Sequence, residues 1–262
     1  MMLGFQDYIT FKEDTHQYFN PEGKEFKSVS KIIEYVTPDF DKAGISAMMA
    51  KSKAKEEGIT VERAQDLILQ DWDHKAQSAI DRGNWIHNGL EDYMLGKGCD
   101  EKIVPVAKQI AKFASKYYKF FPEAVVYDSE YGVAGTADFP VQRQRSKIPV
   151  IDVWDYKTNE AKGIYFDSIK RDKSGKFVKH YNRYLKAPLD HLEHTNFNTY
   201  SLQLALYAYM MEASFNVRIG RLGIIFINND LKIKIYNVPY MKLEAKLLLE
   251  HHKSLMNASW ED

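Results

Sequence analysis

Thiol chemistry is nearly absent from this chain: its 262 residues include one cysteine, Cys99. That excludes an internal disulfide framework and an iron–sulfur cluster held by four cysteines. Net charge is absent too, with 36 lysines and arginines against 36 aspartates and glutamates. Proteins that coat nucleic acid without discrimination are commonly basic, so this balance argues against that role. It leaves open an enzyme whose acidic metal site offsets local basic patches. No apolar run approaches the length of a membrane span, and the start does not read as a secretory signal, so no membrane partner is expected. Internal repeats, low-complexity tracts and a dividing linker are also missing. With 45% hydrophobic residues a chain of this length can bury a sizeable core, and residues 1–262 read as one domain.

The pattern that is present alternates short strands and helices. A hairpin is expected over residues 7–27, around Pro21-Glu22-Gly23. Helices follow over 28–36 and 42–57, separated by a Thr37-Pro38-Asp39 break, then over about 60–70 and 79–95. Residues 103–120 read as helical, with Ile103, Val106, Ile110, Phe113 and Tyr117 in register. Strands are expected at 124–131, 132–142, 149–158, 222–228 and 232–238, the last two joined by Asn228-Asn229-Asp230. A helix over 241–255 closes the chain. The fold class is α/β in the α+β sense, a central β-sheet flanked by helices.

The chemistry concentrates in two adjacent strands. Gly135-Thr136-Ala137-Asp138 puts a carboxylate near the end of the first, and the apolar run Val150-Ile151-Asp152-Val153-Trp154 closes on Asp155-Tyr156-Lys157-Thr158. Side chains alternate along a strand, so Lys157 points to the same face as Asp155. Asp138 and Asp155 can hold a hard divalent cation, Mg²⁺ or Mn²⁺, and a backbone carbonyl of Trp154 or Tyr156 can add a ligand. An ammonium beside such a cation suits attack on a phosphodiester. The alternative for Asp155 and Lys157 is a strand-end salt bridge with the lysine in water. Two helices add polar pairs one turn apart. His87 and Glu91 lie beside the apolar stripe of Ile86, Leu90 and Met94, and Gln203 and Tyr207 accompany Leu202, Leu206 and Met210.

Taken in order, these elements resemble the RecB-like branch of the PD-(D/E)xK nuclease superfamily. Gly83, His87 and Glu91 match its first helix, Gly135 and Asp138 its Gly-x-x-Asp element, Asp155 and Lys157 its Asp-x-Lys, and Gln203 and Tyr207 its last helix. The match spans roughly residues 79–240. It implies a restriction-endonuclease-like core with a mixed sheet, preceded by the hairpin and helices of 1–78 and followed by a helix over 241–262. It also implies that His87 completes the ligand set, where nitrogen ligation favours Mn²⁺ over Mg²⁺. Lys157 then acts on the attacking water and the phosphate charge, and Gln203 and Tyr207 position the water, the lysine or the DNA backbone. Glu91 and Glu130, the latter an acid a few positions before the Gly-x-x-Asp, are secondary candidates for a second metal or for support.

The N-terminal stretch from His16 to Ile33 is similar to the start of phage-type and mitochondrial genome-maintenance exonucleases. It tilts the expectation toward an exonuclease acting on DNA that is single-stranded or has free ends, in the cytoplasm of a bacterium or a phage-infected cell. Residues 162–196 form a longer insertion than is usual between the last two motifs. Its basic run is interleaved with aromatics, and Lys170, Arg171, Lys173, Tyr181 and Tyr184 could form a flap over a single strand. A solvated surface insertion is the other reading. Two other functional classes stay open: a non-catalytic DNA-binding or assembly module on the same scaffold, and a metal-dependent hydrolase of small phosphoesters.

Overall fold

The computed structural model describes residues 8–12, 15–158, 163–172 and 174–258. The chain opens with a meander of β1 (Thr10–Lys12), β2 (Gln17–Phe19) and β3 (Glu25–Ser28). At the β2–β3 turn the Lys24 N–H donates to the Asn20 side chain at 2.7 Å, and Gly23 takes a φ of 80° that a Cβ would strain. Ser28 then caps α1 (Val29–Glu34) by accepting from the Lys31 N–H. α2 (Lys42–Glu57) starts on the Asp41 side chain and stops at left-handed Gly58.

The next element differs from the two helices expected over 60–70 and 79–95. α3 is a single helix of 34 residues, Val61–Met94, begun by the Thr60 cap. Residues 71–78 contain neither glycine nor proline, and the pairs Lys75–Asp71 and Gln77–Asp81 bridge successive turns there, so nothing breaks the helix. The helix expected over 103–120 is shorter: α4 spans Val104–Ala114. Tyr117 leaves the helical register to donate its hydroxyl to Asp152 at 3.3 Å, and β4 (Lys119–Phe120) joins a sheet edge.

Four strands follow: β5 (Ala124–Asp128), β6 (Val133–Ala137), β7 (Phe139–Gln142) and β8 (Val150–Lys157). A small hairpin of β9 (Ile169–Arg171) and β10 (Phe177–His180) leads to α5 (Asn196–Phe215). β11 (Arg218–Ile227), β12 (Ile233–Val238) and α6 (Lys242–Ala258) complete the fold. One five-stranded sheet has the order β1-β2-β3-β6-β5 and the other β12-β11-β8-β7-β4. β3 runs parallel to β6 and β8 to β11, while the other pairs in these sheets are antiparallel. The fold is α+β, with a mixed central sheet flanked by helices around a restriction-endonuclease-like core. Among the described residues no helix is long and apolar enough to cross a membrane.

β8 is buried on both faces, which accounts for its near-continuous apolar run. Ile151 and Val153 pack in the core that includes Leu202 and Leu206 of α5, while Trp154 and Tyr156 pack with Ile86 and Leu90 of α3 and Ile110 of α4. Alternation therefore turns Asp155 and Lys157 toward α5 and Tyr156 toward α3.

β6 and β7 are one path of chain that changes sheet, and Asp138 is the single residue between them. Gly135 allows α5 to approach this path. A Cβ there would lie 2.7 Å from Cε1 of Tyr207 and 3.1 Å from Cγ2 of Val29, whereas a Cβ on Gly83 would meet Thr158 Oγ1 at 3.5 Å and nothing else within 4 Å. Gly135→Ala is therefore expected to destabilise the protein by about 1–3 kcal/mol through overpacking. Gly83→Ala, inside α3, should be neutral or stabilise by up to about 1 kcal/mol. Chemical denaturation of the two variants checks this; equal midpoints would contradict the packing argument.

Candidate metal centre

The centre forms where the sheets part. β5 pairs with β6 so that Ala124 faces Ala137, which brings the residue before β5 against the residue after β6. Those residues are Glu123 and Asp138, and the Glu123 N–H donates to the Asp138 carbonyl at 3.0 Å. Glu123 has a φ of 47°, in the left-handed region that is costly for a residue with a Cβ and is kept where its surroundings enforce it. From the opposite side α3 brings His87, whose Nδ1 lies 3.6 Å from Asp138 Oδ2. Its ring meets Tyr156 edge-on, with centroids 5.6 Å apart. One potential ligand atom from each of His87, Glu123 and Asp138 lies within 4.8 Å of the other two.

Asp138 is buried, and its Oδ2 accepts from the Tyr156 N–H at 2.7 Å. Asp155 stands one step beyond the Phe139–Trp154 pair of β7 and β8, so a second buried carboxylate faces the joint. Burial, and then the charge of Asp155, push the Asp138 carboxyl up from 3.8 to about 6, against the opposing pull of His87 and Lys157. Lys157 Nζ lies 2.6 Å from Asp155 Oδ2, donates to Gln203 Oε1 at 2.9 Å, and sits 4.7 Å from the centre of the Tyr200 ring. Burial alone would lower the lysine pKa, but Asp155 and Asp138 together outweigh it and the net shift is upward. Gln203 Nε2 donates to the Tyr207 hydroxyl at 2.9 Å. Burial, reinforced by Asp155, holds that phenol well above its usual range, so Tyr207 is neutral.

These groups line one cleft of about 880 Å³. The structure brings His87, Glu91, Asp138, Asp155, Lys157, Gln203 and Tyr207 onto its walls. Within it Asp155 pairs with Lys157 and lies outside the His87–Glu123–Asp138 cluster. The Tyr156 backbone contributes its N–H to Asp138.

Glu130 needs correction. It sits in the β5–β6 turn, at the opposite end of that hairpin from Asp138, and pairs with Lys253 at 2.9 Å on the surface. The acid that reaches the centre is Glu123, which the β5–β6 register places opposite Asp138. Tyr200, one turn before Gln203 on α5, is the other residue that motif spacing missed.

The insertion residues lie apart. Lys170, Arg171, Tyr181 and Tyr184 are exposed and do not line the cleft, and Lys173 lies outside the described residues. Arg171 pairs with Asp167 at 2.7 Å, and the Tyr181 ring centre lies 5.5 Å from Lys179 Nζ and 5.3 Å from Arg183 Cζ.

The donor set fits a divalent cation. An imidazole nitrogen and carboxylate oxygens converge, and Glu91, Glu123, Asp138 and Asp155 line a cleft to which, among the described residues, Lys157 contributes the one lysine or arginine. A buried acid held neutral up to about pH 6 is what a carboxylate lacking a sufficient counter-charge shows.

No protein-family model matches the sequence, and no curated protein matches it. A crystal structure from Eubacterium rectale, described as a "Putative exonuclease", is similar to 89% of this chain over 79% of its own, at 12% identity and a TM-score of 0.35. At that distance the likeness carries no argument about family or chemistry.

The Asp138 shift has a signed consequence for the metal-free protein. Its native pKa lies above the ordinary value, so the fold binds the extra proton. The associated stability is present below about pH 4 and is lost as pH rises to about 6, for a total of about 3 kcal/mol. Asp138→Asn is expected to abolish this loss. In chelator, the variant should gain on the wild type between pH 4 and 6 and hold a constant advantage above. Urea melts across that range check it; a constant difference at all pH values would contradict the shift.

Proposed function

We propose that the chain is a metal-dependent nuclease of the PD-(D/E)xK type acting on DNA, with an exonuclease role as the favoured form. The observation that carries this reading is the convergence of His87, Glu123 and Asp138 beside a charged, fixed Lys157 in a single cleft. Mg²⁺ or Mn²⁺ held there would supply Lewis acidity toward a phosphate ester. His87, Glu123 and Asp138 would hold the ion. Asp155 and the Tyr156 carbonyl are the further ligands the sequence motif implies, and Glu91, which lines the same cleft, is a candidate to support them.

Lys157 stays protonated, so its role is to present positive charge to the phosphate as negative charge builds on the oxygens. The ammonium is pre-aimed. Asp155, Gln203 and the Tyr200 ring hold it from three sides, and Tyr207 holds Gln203 in turn. Little reorganisation is then needed when the substrate arrives. On the insertion, Lys170, Arg171, Tyr181 and Tyr184 supply exposed cations and rings suited to a strand that continues beyond the cleft.

End-labelled single- and double-stranded DNA and a closed circle, each with Mg²⁺ or Mn²⁺, test this reading. Linear DNA should be degraded, the circle should resist, and chelator should stop the reaction. Lys157→Ala should retain metal affinity and lose several powers of ten in rate, in line with about 3 kcal/mol or more of transition-state stabilisation. Cleavage that survives excess chelator would overturn the proposal.

Replacing Lys170 and Arg171 with alanine should weaken single-strand binding at low salt. It should also flatten the dependence of log K on log salt by about 0.7 for each phosphate no longer neutralised. An unchanged slope would assign the insertion to the surface.

A further inference from the structure

The cleft runs from the acidic centre to the N-terminal meander, where its wall becomes aromatic. Phe11 and His16 stand on that wall. Phe11 stacks on Tyr18 with ring centroids 4.8 Å apart, and His16 stands perpendicular to Phe11 at 5.1 Å and close to perpendicular to Tyr18 at 5.9 Å. Tyr18 is buried, and its hydroxyl lies 3.0 Å from Thr136 Oγ1. Thr136 belongs to β6, the strand that leads directly to Asp138. The aromatic corner is thus tied to the metal ligands through a hydrogen bond and two residues of chain. Tyr18 is buried, whereas His16 is exposed in the turn before β2, at a left-handed φ of 51°.

The charge of the cleft decides what this corner can bind. A duplex presents two rows of phosphates and calls for cations along its path, but among the described residues Lys157 is the one lysine or arginine that lines the cleft. Asn84 and Asn88 of α3 and Ser30 add neutral hydrogen-bonding groups instead. Rings and amides suit the face and edge of an unpaired base. We propose that Phe11 and His16 form a nucleobase-stacking subsite for the strand whose phosphate lies at the metal centre. The substrate there is a single strand or a frayed end, taken with little regard to sequence because every base has a stacking face. This rests on reading the centre as a nuclease site.

The test compares binding of a short labelled single strand with that of the same strand made abasic, by fluorescence anisotropy with Ca²⁺ present. Wild type should prefer the normal strand by about fivefold to a hundredfold, the range of one stacked base. The double variant Phe11→Leu, His16→Gln should lose most of that preference, while His16→Phe should keep it. Mn²⁺ affinity measured by calorimetry should be the same in all, since neither residue belongs to the metal or lysine cluster. If the double variant fails to fold by circular dichroism, His16→Gln alone, at an exposed position, should still lose part of the preference. A folded variant that separates normal from abasic strands as well as wild type does would overturn the subsite. So would a wild type that takes up Mn²⁺ yet binds both strands equally, and the centre would then stand. A wild type that neither cleaves nor binds DNA would remove both.

Discussion

The structure turns on an aspartate at a joint between sheets. Asp138 is the single residue between the β6 and β7 ladders, and its carboxylate lines the cleft where the two sheets part. The placement costs solvation, and the neighbouring Asp155 adds repulsion, so the carboxyl is held neutral well above its ordinary range. Burying charge in this way is unfavourable unless something compensates it. A single N–H from Tyr156 and the partial help of His87 and Lys157 do not suffice. The remaining deficit is an affinity for positive charge, and the imidazole and second carboxylate around it define the geometry that charge must satisfy.

Lys157 belongs to the same balance of charge but plays a different part. It is too well held to be a free surface cation and too strongly paired to be a base. Asp155 neutralises it from below, Gln203 fixes its direction, and Tyr200 presents a π face at 4.7 Å. The Gln203–Tyr207 contact explains why the two residues lie one turn apart on α5, and why the strand beneath needs a bare Cα at Gly135. One line of contacts therefore runs from the glycine of one motif, through the helix of another, to the lysine of a third.

Much of this is legible in the sequence because the periodicities are strict. Alternation along β8 places Asp155 and Lys157 on one face without any knowledge of the sheet, and a spacing of four along a helix pairs His87 with Glu91 and Gln203 with Tyr207. The register of long-range pairing is less legible. Glu123 joins the centre only because Ala124 faces Ala137, a fact of the β5–β6 ladder, and a motif-based search finds Glu130 at the wrong end of the hairpin instead. The fusion of two expected helices into α3 has a similar origin. Local pattern marks two apolar stripes, while continuity depends on the absence of a breaker and on ion pairs between turns. The aromatic corner on the meander leaves no sequence pattern at all, since Phe11, His16 and Tyr18 meet only through the fold of the hairpin.

The most direct test of the central claim is a calorimetric titration of metal-free protein with Mn²⁺ at pH 6, repeated in two buffers of different ionisation enthalpy. Binding with proton release is predicted, because Asp138 is about half protonated there and must ionise to accept the ion. The release should fall in Asp138→Asn together with most of the affinity. Wild type that takes up no Mn²⁺, or an Asp138→Asn variant that binds it as tightly as wild type does, would contradict the account.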